Sequence, residues 1–205
     1  PALIHLVQGA PARIAGALRC GTRGTVAQLP LGCIALSTSS VNEHLDRLDP
    51  DPDWVERLRA AGRDLGMTNI ADGELSTVGR DHPNPSTLLT EGTGLSASFF
   101  WQGQGRPLYT RSFGESGGHS LDQRSRAAQL GSWVNANIRY IEMEDYTVHR
   151  IGALVNIPTA TLGAVIAHRR RADGTFQLDY SKDALRVSEL IPARIALKAI
   201  QKGPQ

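Results

Sequence analysis

The sequence predicts one α/β layered domain, and three observations carry that reading. Short apolar runs of strand length alternate with stretches whose apolar residues recur at helical spacing. The 205 residues, taken as a single domain over 1–205, are enough to bury one sizeable core. No internal repeat and no shift in composition divides the chain.

The elements follow in order. Ala2 to Val7 is a strand candidate, and residues 10–18 form a short small-residue segment containing Pro11. Leu18 to Gly24 looks like a strand end running into a glycine-containing loop, where backbone N–H groups can approach a ligand. Gly32 to Thr38 is a second strand, followed by a polar loop from Ser39 to His44. The turn Asp49-Pro-Asp-Pro-Asp53 caps a helix from Trp54 to Leu65, whose Val55, Leu58, Ala61 and Leu65 share one face. Glu74–Gly79 and Ser96–Phe100 are short strand candidates around a Pro-rich loop, Asp81–Glu91.

Gln102–Arg106 and Arg111–Ser120 read as loops, and Leu121–Val134 as a helix. Ile141-Glu-Met-Glu-Asp145 leads into an amphipathic helix, Tyr146–Val155, and then a buried strand, Thr159–Ala167. A basic turn spans Arg169–Thr175. The closing helix covers Ser181–Ile200, with Ser181 as its N-cap and a bend at Pro192.

Composition excludes several classes. The net charge of +2, from 22 basic and 20 acidic residues, is too balanced for a nucleic-acid surface. No apolar run reaches the length of a membrane span. Cys20 and Cys33 sit in apolar contexts and read as buried free thiols of a reducing, intracellular compartment, the cytoplasm first with an organelle left open. The six histidines lack metal-ligand spacing, so no metal site and no cofactor are expected. Lys182, Lys198 and Lys202 are the only lysines, and the remaining basic residues are arginines. A GC-rich genome accounts for that skew, while bidentate oxyanion binding is the functional alternative.

Three clusters could carry chemistry. Arg19 and Thr22, at a strand end, combine a guanidinium and a hydroxyl as an oxyanion site would; a buried Arg paired with a carboxylate is the alternative. Phe100-Trp-Gln-Gly-Gln104-Gly-Arg106 offers an aromatic wall, a carboxamide and a guanidinium, suited to the face and edge of a base, or else an exposed loop with an aromatic anchor. Glu142-Met143-Glu144 offers carboxylates for sugar hydroxyls and a thioether for the sugar's carbon face, or else an acidic helix start.

Together these stretches resemble the uridine phosphorylase branch of the nucleoside phosphorylases. Arg19-Cys-Gly-Thr22-Arg-Gly24 resembles that family's Arg-x-Gly-Thr-x-Gly phosphate loop. Phe100 to Arg106 resembles its Phe-Tyr-x-Gly-Gln-x-Arg uracil loop. Glu142-Met-Glu144 resembles its Glu-Met-Glu ribose motif, and Val165-Ile-Ala-His-Arg169 its Val-Ile-Val-Asn-Arg strand end. The four motifs fall in the family's order between about residues 13 and 200.

The resemblance implies a central mixed β-sheet flanked by helices. It implies uridine phosphorolysis, with inorganic phosphate as co-substrate and uridine or a related nucleoside as ligand. By carry-over, Arg19 and Thr22 hold phosphate. Glu142, Met143 and Glu144 form the ribose stretch, with Glu144 on the hydroxyls and Met143 on the sugar. Phe100, Gln104 and Arg106 bind the base, and Arg169 orients Arg106. The pairing His168-Arg169 stands where a purine member carries an Asp, and His168 itself replaces the family's Asn.

A dimer-based homo-oligomer goes with the catalytic reading. The family pattern has one further strand–loop–helix set ahead of these motifs, carrying more phosphate-site residues, so the domain reads as N-terminally incomplete. Gln8-Gly-Ala-Pro11 also lacks the Ser of the family's Gly-x-Gly-x-Pro-Ser turn. Two other readings stay open: a non-catalytic relative docked on unrelated protein subunits, and a nucleoside-binding module without turnover.

Overall fold

The structure, a computed structural model, describes residues 14–71, 74, 79–97, 128–171, 173–174, 176–188 and 190–202. The expected strand within residues 1–9 and the loops at 102–106 and 111–120 lie outside them, as does most of Glu74–Gly79.

The strands are β1 (Ala17–Thr25), β2 (Ile34–Val41), β3 (Arg47–Leu48), β4 (Thr68–Ile70), β5 (Leu88–Ser96), β6 (Ile138–Glu142), β7 (Thr159–Arg170) and β8 (Phe176–Tyr180). The helices are α1 (Pro52–Asp64), α2 (Asp145–Val155), α3 (Lys182–Ser188) and α4 (Ile191–Gln201), and residues 128–135 are helical too.

All eight strands join one mixed sheet in the order β3-β2-β5-β6-β1-β7-β8, with β4 beside β5. A further antiparallel pairing of β2 with β7, centred on Ala35↔Gly163, closes β2, β5, β6, β1 and β7 into a ring. The sheet is therefore a small barrel with extra edge strands, in which closure pairs each of the five ring strands on both sides.

Strand alternation sorts the side chains into an interior and an exterior. One end of the interior is apolar, filled by Leu29, Cys33, Ala35, Leu88, Tyr140 and Val165. The exterior carries two larger clusters. Ile34, Leu36, Leu89 and Leu162 pack against Trp54, Val55 and Leu58 of α1 and Ile195 of α4. Leu95, Ile138 and Ile141 pack against Leu130 and Trp133 of the helical residues 128–135. Each such side chain, fully buried, contributes about 1.5–3 kcal/mol.

Local chemistry explains the helix ends. Asp51 accepts from the Trp54 amide at 3.0 Å, and Pro52 follows in the first turn, so α1 starts where the Asp-Pro-Asp-Pro-Asp turn places it. The helix α2 ends on Asn156, in the left-handed conformation at φ 54°. The closing segment divides after Ser188, and Pro192 starts α4 in place of bending one continuous helix, since its ring suits a first turn.

Other expectations shift. Strand β1 runs on to Thr25 where Leu18–Gly24 was expected to be a strand end running into a glycine-containing loop, because it pairs with β7 along its whole length. Residues 88–91 are strand, not loop: Leu88 and Leu89 are buried on opposite faces of β5. Strand β7 extends to Arg170, shortening the basic turn. Cys33 is buried but Cys20, on the outward side of β1, is exposed.

Candidate active site at the mouth of the barrel

On β1, Arg19, Gly21 and Arg23 face inward, and Cys20 and Thr22 face outward. Gly21 lies opposite Gly163 of β7. A Cβ on Gly21 would stand 2.8 Å from Arg19 Nη2, and one on Gly163 would stand 2.9 Å from Arg23 Nε. The paired glycines leave the room that two guanidinium groups need inside a narrow barrel.

Arg23 lies in the barrel above Tyr140, its Cζ 5.7 Å from the ring centroid. It donates to Ser37 Oγ at 2.6 Å and to Thr161 Oγ1 at 3.1 Å. Its Nη2 pairs with Asp145 Oδ2 at 2.7 Å, and both side chains are fully buried. Ser37 Oγ donates to the same carboxylate at 2.8 Å. The other carboxylate oxygen, Oδ1, accepts from Arg19 Nη1 at 2.9 Å. Asp145 thus bridges two arginines, which hold its carboxyl below the usual range against the opposing effect of burial.

Glu142 ends β6 and serves the start of α2. Its Oε2 accepts from the backbone amides of Glu144 and Asp145, the latter at 2.7 Å. Its Oε1 accepts from Ser96 Oγ, which itself accepts from the Tyr146 amide at 2.7 Å. Two side chains therefore satisfy the free N–H groups of this helix start. Burial first, and the neighbouring Asp145 charge second, push the Glu142 carboxyl up to about 7.

Glu144 is half exposed and pairs with Arg19 Nη2. Glu142 lies 3.7 Å from Arg19 Nη1. Burial disfavours the Arg19 charge, but Asp145, Glu142 and Glu144 outweigh it and raise its pKa. Met143 is among the exposed large apolar side chains.

The structure thus brings Arg19, Glu142 and Glu144 together. Thr22 is separated from Arg19 by the alternation of β1. Thr22 and Met143 are both exposed. Arg169 is buried on Thr22's side of β1, where a Cβ on Gly24 would come within 3.3 Å of its Nε. Phe100, Gln104 and Arg106 lie outside the described residues.

Arg23, Ser37, Ser96, Asp145 and Thr161 were not singled out from the sequence as site residues. The signal for Arg23 was present: four positions after Arg19 on one strand means the same face.

No protein-family model matches the chain, and no curated protein matches its sequence. Solved structures do match. Isoform 2 of uridine phosphorylase from Schistosoma mansoni, in complex with citrate, superposes with a TM-score of 0.64 at 17% identity, over 91% of this chain and 59% of that one. A uridine phosphorylase of the oomycete Phytophthora capsici gives 0.62 at 20% identity, over 91% and 58%. The purine nucleoside phosphorylase of Toxoplasma gondii, in complex with immucillin-H, gives 0.59 at 17% identity, over 90% and 62%.

The fold is that of the nucleoside phosphorylases. The chain spans about 60% of the length of these structures. The start of α2 lies at the barrel mouth, where its acidic residues Glu144 and Asp145 meet the arginines of β1. No helix among the described residues is long and apolar enough to cross a membrane.

Proposed function

We propose that the barrel mouth handles a nucleoside, and that the protein carries out pyrimidine nucleoside phosphorolysis, uridine plus phosphate giving uracil and ribose 1-phosphate. The observation that carries this reading is the meeting of Arg19 with Glu144 where β1, β6 and α2 converge. It sets a cationic donor for an oxyanion beside a carboxylate that can accept two sugar hydroxyls. Exposed Met143, next to Glu144 in the chain, adds a soft apolar surface to the rim.

In this reading Arg19 steadies the phosphate that attacks the anomeric carbon, and Glu144 fixes the ribose by its hydroxyls. Gln104 and Arg106 receive the charge developing on the departing uracil, with Phe100 against its face and Arg169 behind Arg106. Holding phosphate and sugar side by side supplies proximity.

A steady-state assay of uracil release, with and without phosphate, tests the reading. Phosphate-dependent release is expected, and Gln104→Ala should weaken it by about 1–3 kcal/mol. Release that is absent, or indifferent to phosphate, overturns it.

A second reading, a nucleoside-binding relative without phosphorolysis, is favoured by one observation: carboxylates already occupy both terminal nitrogens of Arg19. Uridine binding by calorimetry, in a protein that releases no uracil, would establish it.

A further inference from the structure

The two terminal nitrogens of Arg19 are held in different ways. Nη1 is bound at 2.9 Å to Asp145, which has no exposure and is fixed in turn by Arg23 and Ser37. Nη2 is bound to Glu144, whose side chain is 53% exposed. The first contact is part of the packed interior. The second is an ion pair at the rim, of a kind worth little in isolation.

Among the described residues, the Glu144 carboxylate is held by Arg19 alone. The backbone amide of Glu144, not its carboxylate, is tied to Glu142, and no capping hydrogen bond comes from its side chain. The carboxylate can therefore leave Arg19 without loosening α2. While it remains, an anion approaching Nη2 meets a like charge in the position it needs.

We propose that Glu144 is a latch on Arg19: its carboxylate competes with the oxyanion for Nη2, and a nucleoside that draws Glu144 onto its ribose hydroxyls frees that nitrogen. This rests on the proposed nucleoside site. The two ligands then bind with positive coupling, and by linkage each tightens the other by the same factor. Asp145 keeps Arg19 pointing at the mouth throughout, so the arginine changes partner at one nitrogen without leaving the site.

Calorimetric titration of the full chain with inorganic phosphate, alone and with saturating uridine, tests this on the wild type and on Glu144→Gln. Uridine should tighten phosphate binding by the wild type about fivefold. Glu144→Gln should bind phosphate about fivefold more tightly than the wild type without any nucleoside, and uridine should add nothing further. Equal phosphate affinity in the two proteins overturns the latch, as does an absence of phosphate binding in both. Failure of uridine to bind overturns the nucleoside reading, while the phosphate-only comparison still decides whether Glu144 blocks Arg19.

Discussion

Arg23 and Asp145 form an ion pair of 2.7 Å with both side chains wholly buried in the mouth of the barrel. Neither can be removed alone without leaving a charge in a place water does not reach. Asp145→Ala should therefore cost about 3–5 kcal/mol of stability, read as a shift in the urea midpoint at unchanged slope. Arg23→Met combined with Asp145→Leu should lose less than Asp145→Ala does, because the fully buried Arg23 charge goes with its partner while Arg19 keeps Glu144. Equal losses would mean that the pair is not the element holding the mouth together.

Glu142 gives the mouth a pH dependence. Its carboxyl is raised from 4.5 to about 7, by burial first and by Asp145 second. A carboxyl raised on folding binds more protons in the native state than in the unfolded one. Its contribution to stability is full below about pH 4.5 and is lost as pH rises through about 7. Burial lowers the His149 pKa and works the other way in the same interval, so the quantity to read is the unfolding free energy of the wild type against Glu142→Gln, which should fall with pH. Glu142→Gln keeps an acceptor for the α2 amides but has no such proton to lose, and an identical pH dependence in the two proteins would remove Glu142 as a source of it.

Gly152 is where α2 rests on β7. A Cβ there would lie 2.4 Å from Thr159 Cγ2 and 2.7 Å from the Ile157 carbonyl oxygen. Gly152→Ala should therefore destabilise by about 1–3 kcal/mol despite the better helix propensity of alanine. It should also weaken uridine binding, since α2 carries Glu144 and Asp145 at its start. A thermal melt and a uridine titration of the same variant check both effects, and a rise in melting temperature would contradict the packing.

The two thiols should separate in a labelling experiment. Cys20 is exposed on β1, whereas Cys33 is buried in the barrel and burial pushes its thiol up to about 12. A thiol reagent should modify Cys20 in the native protein and Cys33 only after denaturation. Reaction of both in the native protein would mean that the barrel opens readily.

Parts of this arrangement are legible in the residues themselves. The Asp-Pro-Asp-Pro-Asp turn announces α1, and Asp51 does cap it, because a cap needs only a side chain and the amides of the next turn. The Glu-Met-Glu-Asp stretch announces a helix start for the same reason. The strand at Thr159 shows in a run free of charged residues from Thr159 to Ala167, as a strand buried on both faces should. The order of the four motifs likewise pointed to the fold that the solved structures share with this chain.

What the sequence could not show depends on partners distant along the chain. Arg19 and Thr22 look like neighbours in a motif, yet the strand turns them to opposite faces once β1 continues to Thr25. Asp145 reads as one more acidic residue in a helix's first turn. Only the pairing of β1 with β7, and of β2 with both β5 and β7, puts Arg23, Ser37 and Thr161 around it.

The sequence alone therefore determined the helices that open at Pro52 and Asp145, the core strands β2 and β7, and the chemical kinds of group on offer, because those follow from periodicity and from contacts within a turn or two. Tertiary structure decided which groups meet. Closure of the sheet into a barrel selects one set of inward-facing residues, and the low-dielectric interior then requires each buried charge among them to find its opposite.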